Sequence, residues 1–193
     1  MSEIVRPTRD GIHGREYIST QVDIGRRPLK LEFNEDGSVA TECPPLVEAP
    51  VPVIFNMMPW HAPDLAISEA IADAAERLGT LAITNEPSLM SRRSAIPSIP
   101  EQASDAPSEK ARAAQWSDHA DVAARIAGAK QANPGLVTIV KTSLDANCAD
   151  RALALAEAGV DAIHLRADWR GYADYNGKPV HISDAVRKVH QAF

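Results

Sequence analysis

One lysine, Lys141, lies where a buried strand is predicted to end, directly after the mainly apolar residues 137–140. A lysine ammonium there can hold the anionic edge of a flavin ring near its pyrimidine carbonyl, because it is a compact positive charge on a long stem. If its pKa is lowered, the same amine can form a Schiff base with a carbonyl substrate. A side chain that reaches solvent or pairs with a nearby acid is the third interpretation. The residues alone leave all three open.

Functional side chains also follow the other predicted strands. In parallel α/β sheets the carboxyl ends of the strands meet at one edge, where substrates and cofactors bind. We therefore expect Glu86, Arg166 and Asp168 to approach one another and to orient a substrate, with surface ion pairing as the alternative. The candidate residues at the strand ends are Asn56, Met57, Met58, Thr84, Asn85, Glu86, Lys141, Arg166 and Asp168.

The histidines and cysteines carry weaker signals. His61 follows Trp60 after the first strand and is more typical of packing than of catalysis, and His164 lies inside a predicted strand, where we expect it in the core. Cys43 and Cys148 are far apart and have no second cysteine or histidine at a metal-ligand spacing. We predict two free thiols and no metal site.

These residues are positioned by a repeated pattern, in which a helix-like stretch ends at a glycine and an apolar strand follows. Glycine supplies the left-handed conformation that ends a helix, and strands with little polar interruption are typical of a parallel sheet covered on both faces. The pattern predicts an α/β fold with strands at residues 51–55, 80–84, 136–141 and 160–165. The second interval is about twice the others, and a β/α unit of roughly 30 residues would fill it. We therefore predict five strand positions, one of them hidden or lost.

Local signals predict the remaining segments. Apolar periodicity predicts helices over residues 65–78 and 118–132, a helix opened by Asn147 or Asp150, and a last helix over residues 183–192 capped by Ser183. Residues 88–110 are rich in serine, proline, arginine and alanine and are predicted to form a long loop, and residues 169–172 lie in another loop. Residues 26–33 alternate like an edge strand before a turn signal at residues 34–37.

Chain length limits how much of a barrel can form. A closed β/α barrel needs roughly 200 to 250 residues, more than residues 51–193 provide. We predict residues 1–49 to be an N-terminal extension and residues 50–193 to be an incomplete (β/α)8 barrel of the TIM type, comprising about its first five units. The open edge after the last strand predicts a complementary chain or a second copy of this chain as a partner that completes the barrel.

Composition excludes several classes of partner. The formal net charge of −6 is opposite to the basic surface that nucleic acid or an anionic membrane would require. The N-terminal residues lack the apolar core of a signal peptide, and no apolar run reaches the length of a membrane span. We therefore expect a cytoplasmic location, which free thiols also fit.

Five segments together resemble the FMN-binding synthase domain of glutamate synthases: residues 50–60, 75–80, 83–86, 137–141 and 158–165. In that family a proline-led strand ends in a turn containing methionine, the next strand ends beside the flavin and substrate, and a later strand ends in a lysine that contacts FMN. The resemblance implies FMN as cofactor, with contacts at Asn56, Met57, Met58, Thr84, Asn85 and Lys141. The chain departs from the family at residues 166–172, where bulky side chains replace a glycine-rich segment, and it has no cysteine cluster for an iron–sulfur centre.

The resemblance leads to one hypothesis with two alternatives. The first is an FMN-dependent oxidoreductase acting on a small-molecule substrate, as a partial barrel or one subunit of a split enzyme. Lys141 and Glu86 are its catalytic candidates, since Lys141 would stabilise negative charge on the reduced flavin, and Glu86, Arg166 and Asp168 would contact substrate. The second is a non-catalytic barrel subunit or degenerate paralogue. The third is a Schiff-base lyase that uses Lys141.

Overall fold

The computed structural model describes residues 21–28, 30–57, 64–100, 107 and 110–193. In this part of the chain, a parallel sheet is flanked by helices and by two small hairpins. The strands are β1 (Val22–Gly25), β2 (Leu46–Ala49), β3 (Ile54–Phe55), β4 (Leu81–Thr84), β5 (Ala95–Ile99), β6 (Ala113–Ser117), β7 (Val137–Ser143), β8 (Ala162–Arg166), β9 (Tyr172–Tyr175) and β10 (Lys178–His181). The helices are α1 (Leu65–Leu78), α2 (Val122–Ala132), α3 (Cys148–Glu157) and α4 (Ile182–His190).

The sheet has six strands, which run in the order β3-β4-β5-β6-β7-β8, so that neighbours along the chain are neighbours in space. All five pairings are parallel. The sheet is strongly curled into half of a barrel, with helices on its outer face. The prediction of an α/β fold with an incomplete TIM-type barrel is thus confirmed. The proposed boundary between residues 49 and 50 stays a prediction.

The interval between the second and third predicted strands holds two strands instead of one. The prediction of a loop over residues 88–110 was wrong, because β5 lies within it and pairs with both β4 and β6. Residues that are unusual in buried strands concealed both: Pro97 and the polar Ser98 interrupt β5, and the polar Gln115 interrupts β6. Proline is rare inside a sheet, since it cannot donate a ladder hydrogen bond.

Residues next to the helices determine where the helices begin and end. The Asp64 side chain accepts the amide of Ala66 at 2.9 Å and begins α1, and Gly79 ends that helix with a φ of 69°, as the pattern predicted. Helix α2 begins at Val122, later than predicted, and α3 follows Asn147. The predicted cap Ser183 was wrong, because His181 precedes α4 and its Nδ1 accepts the Ser183 amide.

Layers of apolar side chains pack against both faces of the sheet. The outer layer lies between the sheet and its helices and includes Trp116, Val140 and Ile126. The inner layer lines the concave face and is closed by Val47 of β2, which is 1% exposed; its sheet members are Leu81, Ile83, Ile96, Ala113, Val137 and Ile139. The apolar end of the concave face is therefore covered by the N-terminal segment.

The N-terminal segment forms an antiparallel hairpin of β1 and β2. The predicted strand over residues 26–33 was wrong in position, because β1 ends at Gly25 and Arg26 instead donates to the Val160 carbonyl at 2.9 Å. The predicted turn at residues 34–37 is confirmed by the bond from the Gly37 amide to the Asn34 carbonyl at 2.9 Å. Arg26 thus ties the hairpin to the amino end of β8.

The C-terminal segment adds a second antiparallel hairpin, β9–β10, and α4. A loop containing residues 169–172 was predicted to lead to the last helix. This was wrong from Tyr172 onwards, because β9 and β10 lie between the loop and α4. Apolar residues of α3, α4 and β9 pack together beside the sheet, including Cys148, Ala185 and Ala173. None of the helices in the described residues is both long and apolar enough to cross a lipid bilayer.

Candidate functional site

The strand register brings three polar side chains of different strands to one level of the sheet. Ser117 of β6 pairs with Lys141 of β7, and Lys141 pairs with His164 of β8. Side chains paired in this way point to the same face, and residues two apart share that face. Ile139, two residues before Lys141, belongs to the inner apolar layer, so the three polar residues lie on the concave face.

A concavity of about 1190 Å³ opens at this carboxyl end of the sheet. It brings together five of the residues predicted from the strand ends: Asn56, Met57, Lys141, Arg166 and Asp168. Trp169 and Tyr172 also line it and supply aromatic surface. The predicted contact Met58 lies outside the described residues, as do Trp60 and His61.

The other predicted residues lie apart from this concavity. Thr84 and Asn85 line a separate cavity of about 110 Å³, together with Met57. Glu86 lines neither cavity, and its carboxylate accepts a hydrogen bond from the Ser88 hydroxyl at 3.3 Å. In the described residues, no ion pair within 4.0 Å joins Arg166 to Glu86 or Asp168, so the expected charged cluster is not formed through direct contact.

Lys141 is half-buried at the wall of the concavity. Burial lowers its pKa, and the neighbouring positive charge of Arg166 lowers it further. Arg166 donates to the Ser143 hydroxyl at 3.2 Å. Among the described residues, neither cation has a carboxylate within 4.0 Å. The two positive charges therefore repel each other without a negative partner from this part of the chain.

His164 is a candidate site residue that sequence reasoning missed. It was expected in the core, but it is only half-buried, and its Nδ1 lies 2.6 Å from Oε1 of Gln115. Burial lowers the pKa of His164, as do the charges of Lys141 and Arg166. With Nδ1–H donating to the amide oxygen, Nε2 of the neutral ring carries the lone pair. Gln115 is 1% exposed and belongs to a strand that was not predicted, so no local signal linked the two.

Three carboxylates around the site have structural partners. Asp118 accepts bonds at 3.0 Å from the Thr142 hydroxyl and from Nε of Arg151; burial alone would raise its pKa, but these bonds lower it overall. Asp168 accepts the amide of Tyr172 at 2.7 Å. Asp174 accepts the amide of Gly177 at 2.6 Å. All three acids therefore stabilise loops or element ends.

Sequence comparisons relate part of the chain to known enzymes. No family model and no solved structure matches it. Over 90 residues it is 36% identical to an archaeal-type glutamate synthase [NADPH] from Dehalococcoides mccartyi, a match that covers 47% of this chain and 18% of that protein. A second such protein, from Thermotoga neapolitana, is 34% identical over 89 residues, covering 44% of this chain and 17% of the relative.

An archaeal glutamate synthase [NADPH] from Archaeoglobus fulgidus is 31% identical over 90 residues, which cover 44% of this chain and 17% of that protein. The matches thus span less than half of this chain and less than a fifth of each relative. They support a glutamate-synthase-like relationship, which agrees with the resemblance seen in the sequence motifs.

Proposed function

We propose that this chain is the flavin-facing part of an FMN-dependent oxidoreductase of the glutamate-synthase type, acting on a small-molecule substrate as a partial barrel or as one subunit of a split enzyme. The observation that carries the proposal is the position of Lys141, a half-buried cation on the concave face with no carboxylate partner among the described residues. The partial matches to glutamate synthases support the same assignment.

The residues around the concavity fit the chemistry of a flavin ring. The ring has an apolar plane and a polar pyrimidine edge, which bears negative charge when the ring is reduced. Met57 offers apolar surface, Asn56 offers an amide, and Lys141 offers the positive charge that such an edge requires. The volume of about 1190 Å³ exceeds what a ligand of this size needs.

We assign cofactor contacts to Asn56, Met57 and Lys141, which line the concavity. The resemblance to the family adds Met58, Thr84 and Asn85, and the last two line the neighbouring cavity that also includes Met57. When bound, FMN supplies a hydride acceptor that no side chain can replace. Lys141 would hold a positive charge against the pyrimidine edge of the ring. Arg166, at the end of the neighbouring strand β8, and Asp168, in the loop that follows it, would orient the substrate. Glu86 would approach from the segment after β4.

A binding titration tests this proposal. Added FMN should bind the purified chain with an absorption band near about 450 nm and with quenching of its fluorescence. Lys141→Met should weaken the affinity about tenfold or more, because it removes a charge-assisted contact while it keeps the stem. Lys178→Met, on the exposed β10 hairpin, is the matched control. A wild-type chain that binds no FMN, or a Lys141→Met chain that binds it equally well, would contradict the proposal.

One observation also favours the Schiff-base alternative. Burial and Arg166 lower the pKa of Lys141, which increases the fraction of neutral, nucleophilic amine. Borohydride reduction in the presence of a small aldehyde would then trap a covalent adduct on Lys141 in preference to the other lysines, and Lys141→Arg would abolish it. A chain that binds no flavin and traps no aldehyde would favour the non-catalytic barrel subunit.

A further inference from the structure

We propose that Lys141, His164 and Arg166 form a binding site for one oxyanion, a carboxylate or phosphate group of a small molecule, and that His164 takes up a proton when this anion binds. Lys141 and Arg166 line the same concavity as the proposed flavin face, and His164 is the partner of Lys141 in the strand register. The inference does not rest on a bound flavin. The chain without cofactor is sufficient to test it.

The strand register brings the three donor side chains to the same face of the sheet. Lys141 and His164 are direct partners in the register of β7 and β8, and Ser143 and Arg166 are the next pair on the same face. Their side chains therefore project to one side of the sheet at its carboxyl end. Lys141 and Arg166 both line the concavity of about 1190 Å³, which is open to a small molecule.

The two cations of this cluster have no carboxylate in direct contact among the described residues. In the described residues, neither Lys141 nor Arg166 has an ion pair, although the whole chain carries a net charge of −6. Asp168 and Asp174 line the concavity, but each accepts backbone amides within its own turn, and Asp118 is held by Arg151. Two adjacent cations in a partly buried site raise the free energy of the empty site, and a bound anion would offset that cost.

His164 supplies the third donor only when it is protonated. Its Nδ1–H is engaged with Oε1 of Gln115 at 2.6 Å, so a second proton must go to Nε2. No described residue forms a hydrogen bond with Nε2. A proton there would turn the ring into a cation that donates through Nε2–H to the bound oxyanion and keeps its bond to Gln115.

The charged groups around His164 determine the direction of the pH effect. Lys141 on β7 and Arg166 on β8 are positive, β6 contributes the neutral Gln115 and Ser117, and the acids are Asp118 after β6, Asp168 after β8 and Asp174 on β9. In the empty site burial and the two cations lower the pKa of His164 below its usual value of 6.5. A bound anion has the opposite charge and raises that pKa.

Proton uptake makes the affinity depend on pH. The anion binds most tightly below the pKa of the empty site, and its affinity falls as the pH rises towards the pKa of the occupied site. Sulfate is the suitable probe, because its charge does not change over this range. The affinity of the wild-type chain for sulfate should therefore be higher at pH 5.5 than at pH 8, at constant ionic strength.

The experiment is an isothermal titration of the full chain with sulfate in buffers of different ionisation enthalpy. The slope of the observed enthalpy against the buffer enthalpy counts the protons that are taken up. We expect a positive uptake for the wild type at pH 6 and none for His164→Gln. Arg166→Gln should bind sulfate about tenfold more weakly, because it loses a charge-assisted contact. Arg187→Gln is the matched control, since Arg187 is exposed on α4, pairs with Asp184 and does not line the concavity.

Several outcomes would overturn the proposal. One is that the wild-type chain binds sulfate without taking up a proton. Another is that Arg166→Gln binds sulfate as tightly as the wild type does. A third is that the affinity of His164→Gln for sulfate depends on pH as it does in the wild type. Proton uptake is measured on the wild-type chain, so the test survives a variant that does not fold. Acetate and inorganic phosphate, compared at pH 6, then identify the kind of oxyanion. Failure to bind FMN would contradict only the proposed function and would leave this result unaffected.

Discussion

At the residue scale, Lys130 and Lys141 have opposite electrostatic surroundings. Lys130 has a structural partner, whereas Lys141 is a candidate for binding a ligand. Lys130 of α2 lies near the amino end of the sheet, where its ammonium contacts Asp161 at 2.7 Å. Asp161 also accepts the amide of Thr138 at 2.8 Å, and its side chain is 1% exposed. Lys141, at the carboxyl end, has the cation Arg166 as its neighbour. A paired buried charge holds elements together, whereas an unpaired one is available to a ligand.

Asp161→Asn tests the structural cluster. The substitution removes the charge that satisfies Lys130, so we expect the free energy of unfolding to fall by about 3 kcal/mol. Urea denaturation followed by circular dichroism measures the change. Asp184→Asn is the control, because Asp184 forms an exposed pair with Arg187 on α4 and should change stability very little. A loss no larger than that of the control would contradict the structural role of Asp161.

Arg166→Gln tests the electrostatic coupling at the site. Removal of a neighbouring positive charge should raise the pKa of Lys141, because Arg166 contributes to its depression. The amine would then become nucleophilic only at a higher pH. The pH dependence of Lys141 acetylation, followed by mass spectrometry of peptides, measures this shift. Arg187→Gln should leave the profile unchanged, and a lowered or unaltered pKa in Arg166→Gln would contradict the coupling.

At the scale of elements, the fold depends on helices that stop at defined points so that strands can begin. Gly79 ends α1 with a φ of 69°, and its amide bonds to the Glu76 carbonyl at 3.2 Å. Strand β4 begins two residues later. A Cβ at this position would lie 3.3 Å from Pro50 Cγ, the segment that leads into β3. Gly79 therefore serves both the backbone conformation and the packing of two neighbouring segments.

Two glycine substitutions give opposite predictions. Gly79→Ala should destabilise the chain by about 1 kcal/mol or more, because alanine rarely adopts a positive φ. Gly128→Ala should stabilise it by about 0.5 to 1 kcal/mol, since Gly128 lies inside α2 and a Cβ there meets nothing within 4 Å. Thermal unfolding of both variants measures the difference. Equal melting temperatures for the two variants would contradict this account.

At the scale of the whole molecule, the curled sheet does not close, and it therefore has two edge strands. In the described residues, β3 and β8 each pair with one neighbour in this sheet. Apolar side chains are exposed near β3: Ile54 is 37% exposed and Val53 is 54% exposed. Unpaired strand edges with apolar side chains favour association. We propose that a second copy of this chain covers the β3 edge. The partner predicted from the sequence was placed at the opposite edge, after the last strand, and that part stays a prediction.

Light scattering coupled to gel filtration tests this association. The wild-type chain should have the mass of a dimer at micromolar concentration, and Ile54→Lys should shift it towards the monomer, because it buries a charge in the contact. Val186→Lys is the control, since Val186 is 40% exposed on α4 and far along the chain from β3. A wild-type monomer at every concentration would contradict self-association and leave a different, complementary chain as the partner.

The sequence by itself determined the fold class and many of the residues at the carboxyl end of the sheet. Glycine-ended helices and apolar strands are local signals, so α1, β4, β7 and β8 could be predicted, along with Arg166 at the end of β8. Lys141 was predicted to end β7, but that strand continues to Ser143, so Lys141 lies two residues before its end. Only the tertiary structure decided which polar residues meet. Gln115 and His164 are 49 residues apart, and one of them lies in a strand that its own polar residues conceal. Their contact depends on strand register, which is set by the packing of the whole sheet and not by any local pattern.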